Sequence, residues 1–79
     1  MPLDTKIKQE ILNIVGTNIR RIRKSKKMTQ ADLAYKLSVD PGKIGRTERG
    51  EYDFKISSLL FIAKGLNVDI CDLLKNDQY

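Results

Sequence analysis

The stretch from Thr29 to Gly50 reads TQADLAYKLSVDPGKIGRTERG, and its caps and apolar positions decide the fold. Thr29 is followed three residues on by Asp32, a form of the capping box with the shorter Asp in place of Glu. Leu33, Ala34 and Leu37 then recur at helical spacing, which predicts a helix over 30–37. Asp40 precedes Pro41, a residue suited to the first helical position because its missing N–H has no partner there anyway. Gly50 supplies the left-handed stop. The result is a second helix over 41–49, joined to the first by the three-residue turn Ser38 to Asp40. Leu33, Leu37, Val39 and Ile44 are assigned to the core, and Ala34 to the crossing of the two helices, where a small side chain lets backbones approach.

Outward from this pair the helical pattern continues on both sides. Upstream, a helix starting near Asp4 or Thr5 and ending near Lys26 carries Ile11, Val15, Ile19 and Ile22 as one apolar stripe. Gly16 falls inside it, costs about 1 kcal/mol relative to alanine, and marks a place where the helix can break. Downstream, ISSLLFIAKGL presents Ile56, Leu59, Leu60, Ala63 and Leu66 as a further face, and Asp69 with Asp72 repeats the capping pattern. Five helices follow, at about 5–26, 30–37, 41–49, 56–65 and 70–75. Strand signals are absent. The fold class is therefore all-α, a compact five-helix bundle forming one domain over 1–79.

Composition narrows the function. Fifteen Lys and Arg stand against ten Asp and Glu, a net charge of +5. Residues 1–28 hold eight basic and two acidic side chains, whereas 51–79 hold three and five. RRIRKSKK, Arg20 to Lys27, concentrates the excess and suits a polyanionic partner; a solvated helix surface explains the charge equally well. No run reaches the length of a membrane span or a secretory signal. A single cysteine, Cys71, excludes an intrachain disulfide and fits a cytoplasmic setting. With no histidine, the commonest metal ligand and general base is missing. Nothing suggests an enzyme, and neither metal, cofactor nor small-molecule ligand is expected. Ser57 and Ser58 have no base beside them and read as helix-start residues.

Two helices joined by a short turn, with IRRIR, MTQADLA, Ile44, ERG and LLFIAKGLNVDICDLL around them, resemble the helix-turn-helix of the phage repressor and Cro (Xre-like) family of bacterial regulators. The resemblance covers residues 16–74, leaving 1–15 as an N-terminal helical extension. It implies a lambda-repressor-like bundle that binds double-stranded DNA with the helix over 41–49 in a major groove. It implies a partly buried ion pair between Arg23 and Glu48. It places Gln30, with Thr29 beside it, on a phosphate, and puts Pro41, Lys43 and Arg46 at the base-reading positions. Arg46 is the strongest of these, since arginine grips guanine bidentately. Arg20, Lys24 and Arg49 are assigned to phosphates, with Tyr52 as a further donor.

Three departures from the family stand out. Pro41 and Gly42 bring no hydrogen-bonding side chain to the start of the reading helix, and Gly42 and Gly45 leave one side of it bare. The loop EYDFK carries Glu51 and Asp53 where basic residues are common. Phe61 takes a position that is often polar, and packing within the chain is the reading favoured for it over association.

The resemblance further implies a homodimer joined through the last helix, by Ile70, Leu74 and Tyr79, acting as a repressor or autoregulator on a two-fold symmetric operator. A restriction–modification controller protein fits equally by resemblance. An antitoxin, or a module whose main partner is a protein, stays open as a different class.

Overall fold

The computed structural model describes residues 2–76. They form α1 (Pro2–Ser25), α2 (Gln30–Leu37), α3 (Pro41–Glu48), α4 (Ile56–Leu66) and α5 (Ile70–Leu74), with no strand among the described residues. A helix of 24 residues is about 36 Å long, and α1 accounts for the longest dimension of the molecule, 37 Å. It begins at Pro2, earlier than the Asp4 or Thr5 start expected, and runs through Gly16 without a break.

Gly16 does something other than weaken the helix. A β-carbon there would lie 2.5 Å from the Thr47 carbonyl oxygen and 2.6 Å from that of Glu48. The missing side chain is what lets α1 lie directly on the end of α3.

Local chemistry sets the ends of the shorter helices. The Thr29 hydroxyl accepts from the Asp32 N–H at 2.9 Å, while Asp32 accepts from the Thr29 N–H at 2.8 Å. That returned hydrogen bond holds the Asp32 carboxyl below the usual carboxylate range. Asp40 accepts from the Gly42 N–H at 3.0 Å and caps α3, with Pro41 at the first position. At the other end Gly50 is left-handed (φ 73°). The Gly50 N–H bonds to the Thr47 carbonyl at 3.1 Å and that of Glu51 to Arg46 at 2.9 Å, a Schellman stop. Lys27, Ser38 and Asn67 close α1, α2 and α4 the same way, at φ 57–60°, without a glycine.

The core gathers Val15, Ile19 and Ile22 from α1, Leu33, Ala34 and Leu37 from α2, and Ile44 from α3. Leu59, Ile62, Ala63 and Leu66 from α4 and Leu73 from α5 complete it, with Val39 packed at its edge. Four expected core positions, Ile11, Ile56, Leu60 and Phe61, are exposed instead. Leu12 is buried in place of Ile11, which is 49% exposed. On α4, Ile62 is buried, whereas Ile56 and Leu60 face solvent. Phe61, expected to pack within the chain, is 53% exposed. A helix of eleven residues offers more than one face at apolar spacing, and α4 exposes apolar side chains that the other described helices leave uncovered.

Candidate nucleic-acid interface

Helix α3 is positioned by a buried polar cluster at its C-terminal end. Glu48 sits with its carboxylate 2% exposed and takes both arms of Arg23, Nε to Oε2 at 2.6 Å and Nη2 to Oε1 at 3.0 Å. Arg23 also donates from Nη1 to the Met28 carbonyl at 2.7 Å, tying α1 to the turn before α2. The hydrogen bond it donates to Glu48 raises the guanidinium's pKa further, against the opposing effect of burial. Gln30 donates from Nε2 to Glu48 Oε1 at 3.1 Å, so the first residue of α2 is part of the same cluster. A buried charge pair holds only when its remaining hydrogen-bonding capacity is met, and among the described residues no buried side-chain nitrogen or oxygen lacks a partner.

On this fixed helix Gly45 is covered, contrary to expectation, whereas Gly42 is exposed. Over Gly42 lies the guanidinium of Arg46: a β-carbon built on Gly42 would stand 3.6 Å from Arg46 Nη1. Gly45 is buried beneath Arg49 Nη1 and Gln30 Oε1, at 3.2 and 3.3 Å from the same construction. Gly45 makes room for the long side chains of Gln30 and Arg49, while Gly42 stays exposed beside the Asp40 carboxylate and Arg46, so the surface presented is Arg46, Gln30 and Arg49 with an exposed glycine at the helix start.

The other candidate residues fall as follows. Arg46 is exposed and makes no side-chain hydrogen bond or ion pair among the described residues. Pro41 is exposed at the helix start. Lys43 is half-buried, its ammonium 5.2 Å from the centroid of the Tyr52 ring. Arg49 is bound by Glu51, Nε to Oε2 at 3.0 Å. Arg20 and Lys24 are exposed one turn apart on α1. The Thr29 oxygen is used in the cap, and its hydroxyl still has a hydrogen to donate. Ile70 is half-buried and Leu74 exposed on α5, while Tyr79 lies outside the described residues.

Two residues that the sequence did not single out hold the frame together. Buried Asn18 donates to the carbonyls of Leu73 at 2.9 Å and Lys75 at 2.7 Å, fastening the end of α5 to α1. A lone asparagine inside the stripe Val15, Ile19, Ile22 was its signal. Gln9 donates to the Gly50 carbonyl at 3.0 Å, so the N-terminal extension grips the loop behind α3.

The helix-turn-helix family HTH_3 matches residues 19–73, most of the chain and all of this site. The chain belongs to the helix-turn-helix family. Its class is that of DNA-binding regulators. Among solved structures, the restriction-modification controller protein C.Esp1396I, a tetramer in complex with its natural 35-base-pair operator, is 40% identical. That match covers 82% of this chain and 96% of the other, with a TM-score of 0.71. The restriction-modification controller protein C.AhdI from Aeromonas hydrophila is 27% identical over 78% of this chain and 94% of its own, with a TM-score of 0.75. A hypothetical transcription factor, NHTF, from Neisseria is 25% identical, with a TM-score of 0.83 over 90% of this chain and 82% of its own. Comparison with curated protein sequences gives no match. Among the described residues no helix is long and apolar enough to cross a membrane, and no cluster of acidic residues or cysteine is arranged to hold a metal.

Proposed function

We propose that this chain is a sequence-specific transcription regulator that binds a two-fold symmetric operator as a homodimer, with α3 in the major groove of each half-site. One observation carries the reading: Arg46 stands exposed and unengaged on a helix whose position is fixed by the Arg23–Glu48–Gln30 cluster. A guanidinium on a rigid helix meets the geometric demand of bidentate guanine recognition, which discriminates by about 1–3 kcal/mol per base pair. Pro41 contributes an apolar contact beside it. Arg20, Lys24, Thr29, Gln30 and Arg49 take phosphates, which orient the helix without reading sequence. Exposed Leu60 of α4 and Leu74 of α5, with half-buried Ile70 at the start of α5, form the dimer surface.

Within this class the controller reading is supported by the 40% identity with C.Esp1396I and the likeness to C.AhdI. A general phage- or plasmid-type repressor uses the same surface, and genomic position beside a restriction gene separates the two.

Fluorescence anisotropy on a mixed-sequence duplex between about 50 and 300 mM salt tests the phosphate assignment. The logarithm of affinity falls linearly with that of salt, and Arg20→Ala or Lys24→Ala flattens the slope by about one unit each. A slope that neither substitution alters removes α1 from the interface.

A further inference from the structure

Of the three cations on α3 and its C-cap, Lys43 and Arg49 are occupied, both by consecutive residues of the loop that follows. Glu51 takes Arg49 through Nε–Oε2 at 3.0 Å and Nη2–Oε1 at 3.4 Å, using the Nε–Nη2 edge of the guanidinium. Tyr52 lies under the Lys43 ammonium, 5.2 Å from ring centroid to nitrogen. The loop also bonds back to the helix end and to α1. The Schellman stop fixes the Glu51 backbone through its N–H to the Arg46 carbonyl. The N-terminal extension holds the loop from behind, through Gln9 to the Gly50 carbonyl at 3.0 Å and Lys8 to Asp53 at 2.9 Å.

We infer that Glu51 is an internal competitor for DNA phosphate, which withholds Arg49 and thereby lowers sequence-independent binding. The inference rests on the DNA-binding reading above. A carboxylate bound side-on to a guanidinium takes its Nε–Nη2 edge from a phosphate and sets a negative charge beside the edge that remains. The pair is more than half exposed on both sides, 57% and 54%. Exposed pairs are weak, so a backbone phosphate brought close by α3 in a well-fitted site displaces the carboxylate. A phosphate met in passing faces both an occupied arginine and a nearby negative charge. Because discrimination is the ratio of specific to non-specific binding, a group that suppresses the second raises it.

The test is a double-mutant cycle on the full chain, with a mixed-sequence 30-base-pair duplex as probe, at about 100 mM salt. Glu51→Gln is expected to raise affinity about two- to fivefold, the size of one exposed ion pair. In an Arg49→Ala background the same change is expected to have little effect. An equal rise in both backgrounds, the signature of net charge alone, overturns the proposal. So does no rise in either. If no variant binds the duplex, the DNA-binding reading fails and the proposal with it, a result distinct from binding that ignores Glu51. Thermal melts of each variant establish that all four proteins are folded.

Discussion

Glu48 binds three donors on two other structural elements, Arg23 Nε and Nη2 from α1 and Gln30 Nε2 from α2. At this one carboxylate, folding and function meet, since the orientation of α3 depends on it and Arg46 rides on α3. Glu48→Gln keeps the shape but leaves a buried guanidinium with no counter-charge. One-sided removal of a buried pair costs about 3–5 kcal/mol, a large part of what a domain of this size possesses. A urea melt should therefore show a strongly lowered midpoint, and an unchanged one would mean that the pair does not fasten the helices. The pairing of Arg23 with Glu48 was legible only through family resemblance, because nothing in the spacing of residues 25 apart brings them together. Arg46 enters as a candidate reader through the same resemblance, one turn along α3, because arginine can grip guanine bidentately. Its place over Gly42 was not legible, since a glycine in a sequence does not say which neighbour will lie across it.

At the scale of elements, what is local could be read and what depends on a second element could not. Thr29 with Asp32, Asp40 with Pro41, and Gly50 each act on backbone groups within a few residues, and the structure has all three where the sequence put them. Gly16 was read as a weakness because helix propensity is the only term visible along one chain. Its role depends on Thr47 and Glu48, which lie against it only after folding. The two terms predict opposite signs. Propensity alone makes Gly16→Ala stabilising by about 1 kcal/mol, whereas forcing a methyl against two carbonyl groups costs about 1–3 kcal/mol in a packed interior. Backbone atoms cannot rotate away, so the account predicts a net loss in chemical denaturation; a more stable alanine variant would show that α1 and α3 stand further apart. Ile11, Leu60 and Phe61 fail for the same reason as Gly16. Apolar spacing marks a face that seeks cover, but it does not say whether the cover belongs to the same chain.

For the whole molecule, the frame divides into the surface proposed to read DNA and an exposed apolar one. The first combines α2, α3 and the basic side of α1, held by the Glu48 cluster and braced behind by Gln9 and Lys8 of the N-terminal extension. The second, around Leu60 and Leu74, is the surface proposed to bring two reading helices into a fixed spacing, near one turn of B-DNA. Both halves of this account are tested by one selection of the purified protein on random duplexes at about 150 mM salt, where purely phosphate-driven binding is already weakened, with Arg46→Ala in parallel. The account predicts a two-fold symmetric motif containing a guanine in each half-site, with preference for that guanine lost in the Arg46 variant. Failure of the wild-type protein to enrich any sequence, or an unchanged motif in the variant, would contradict it.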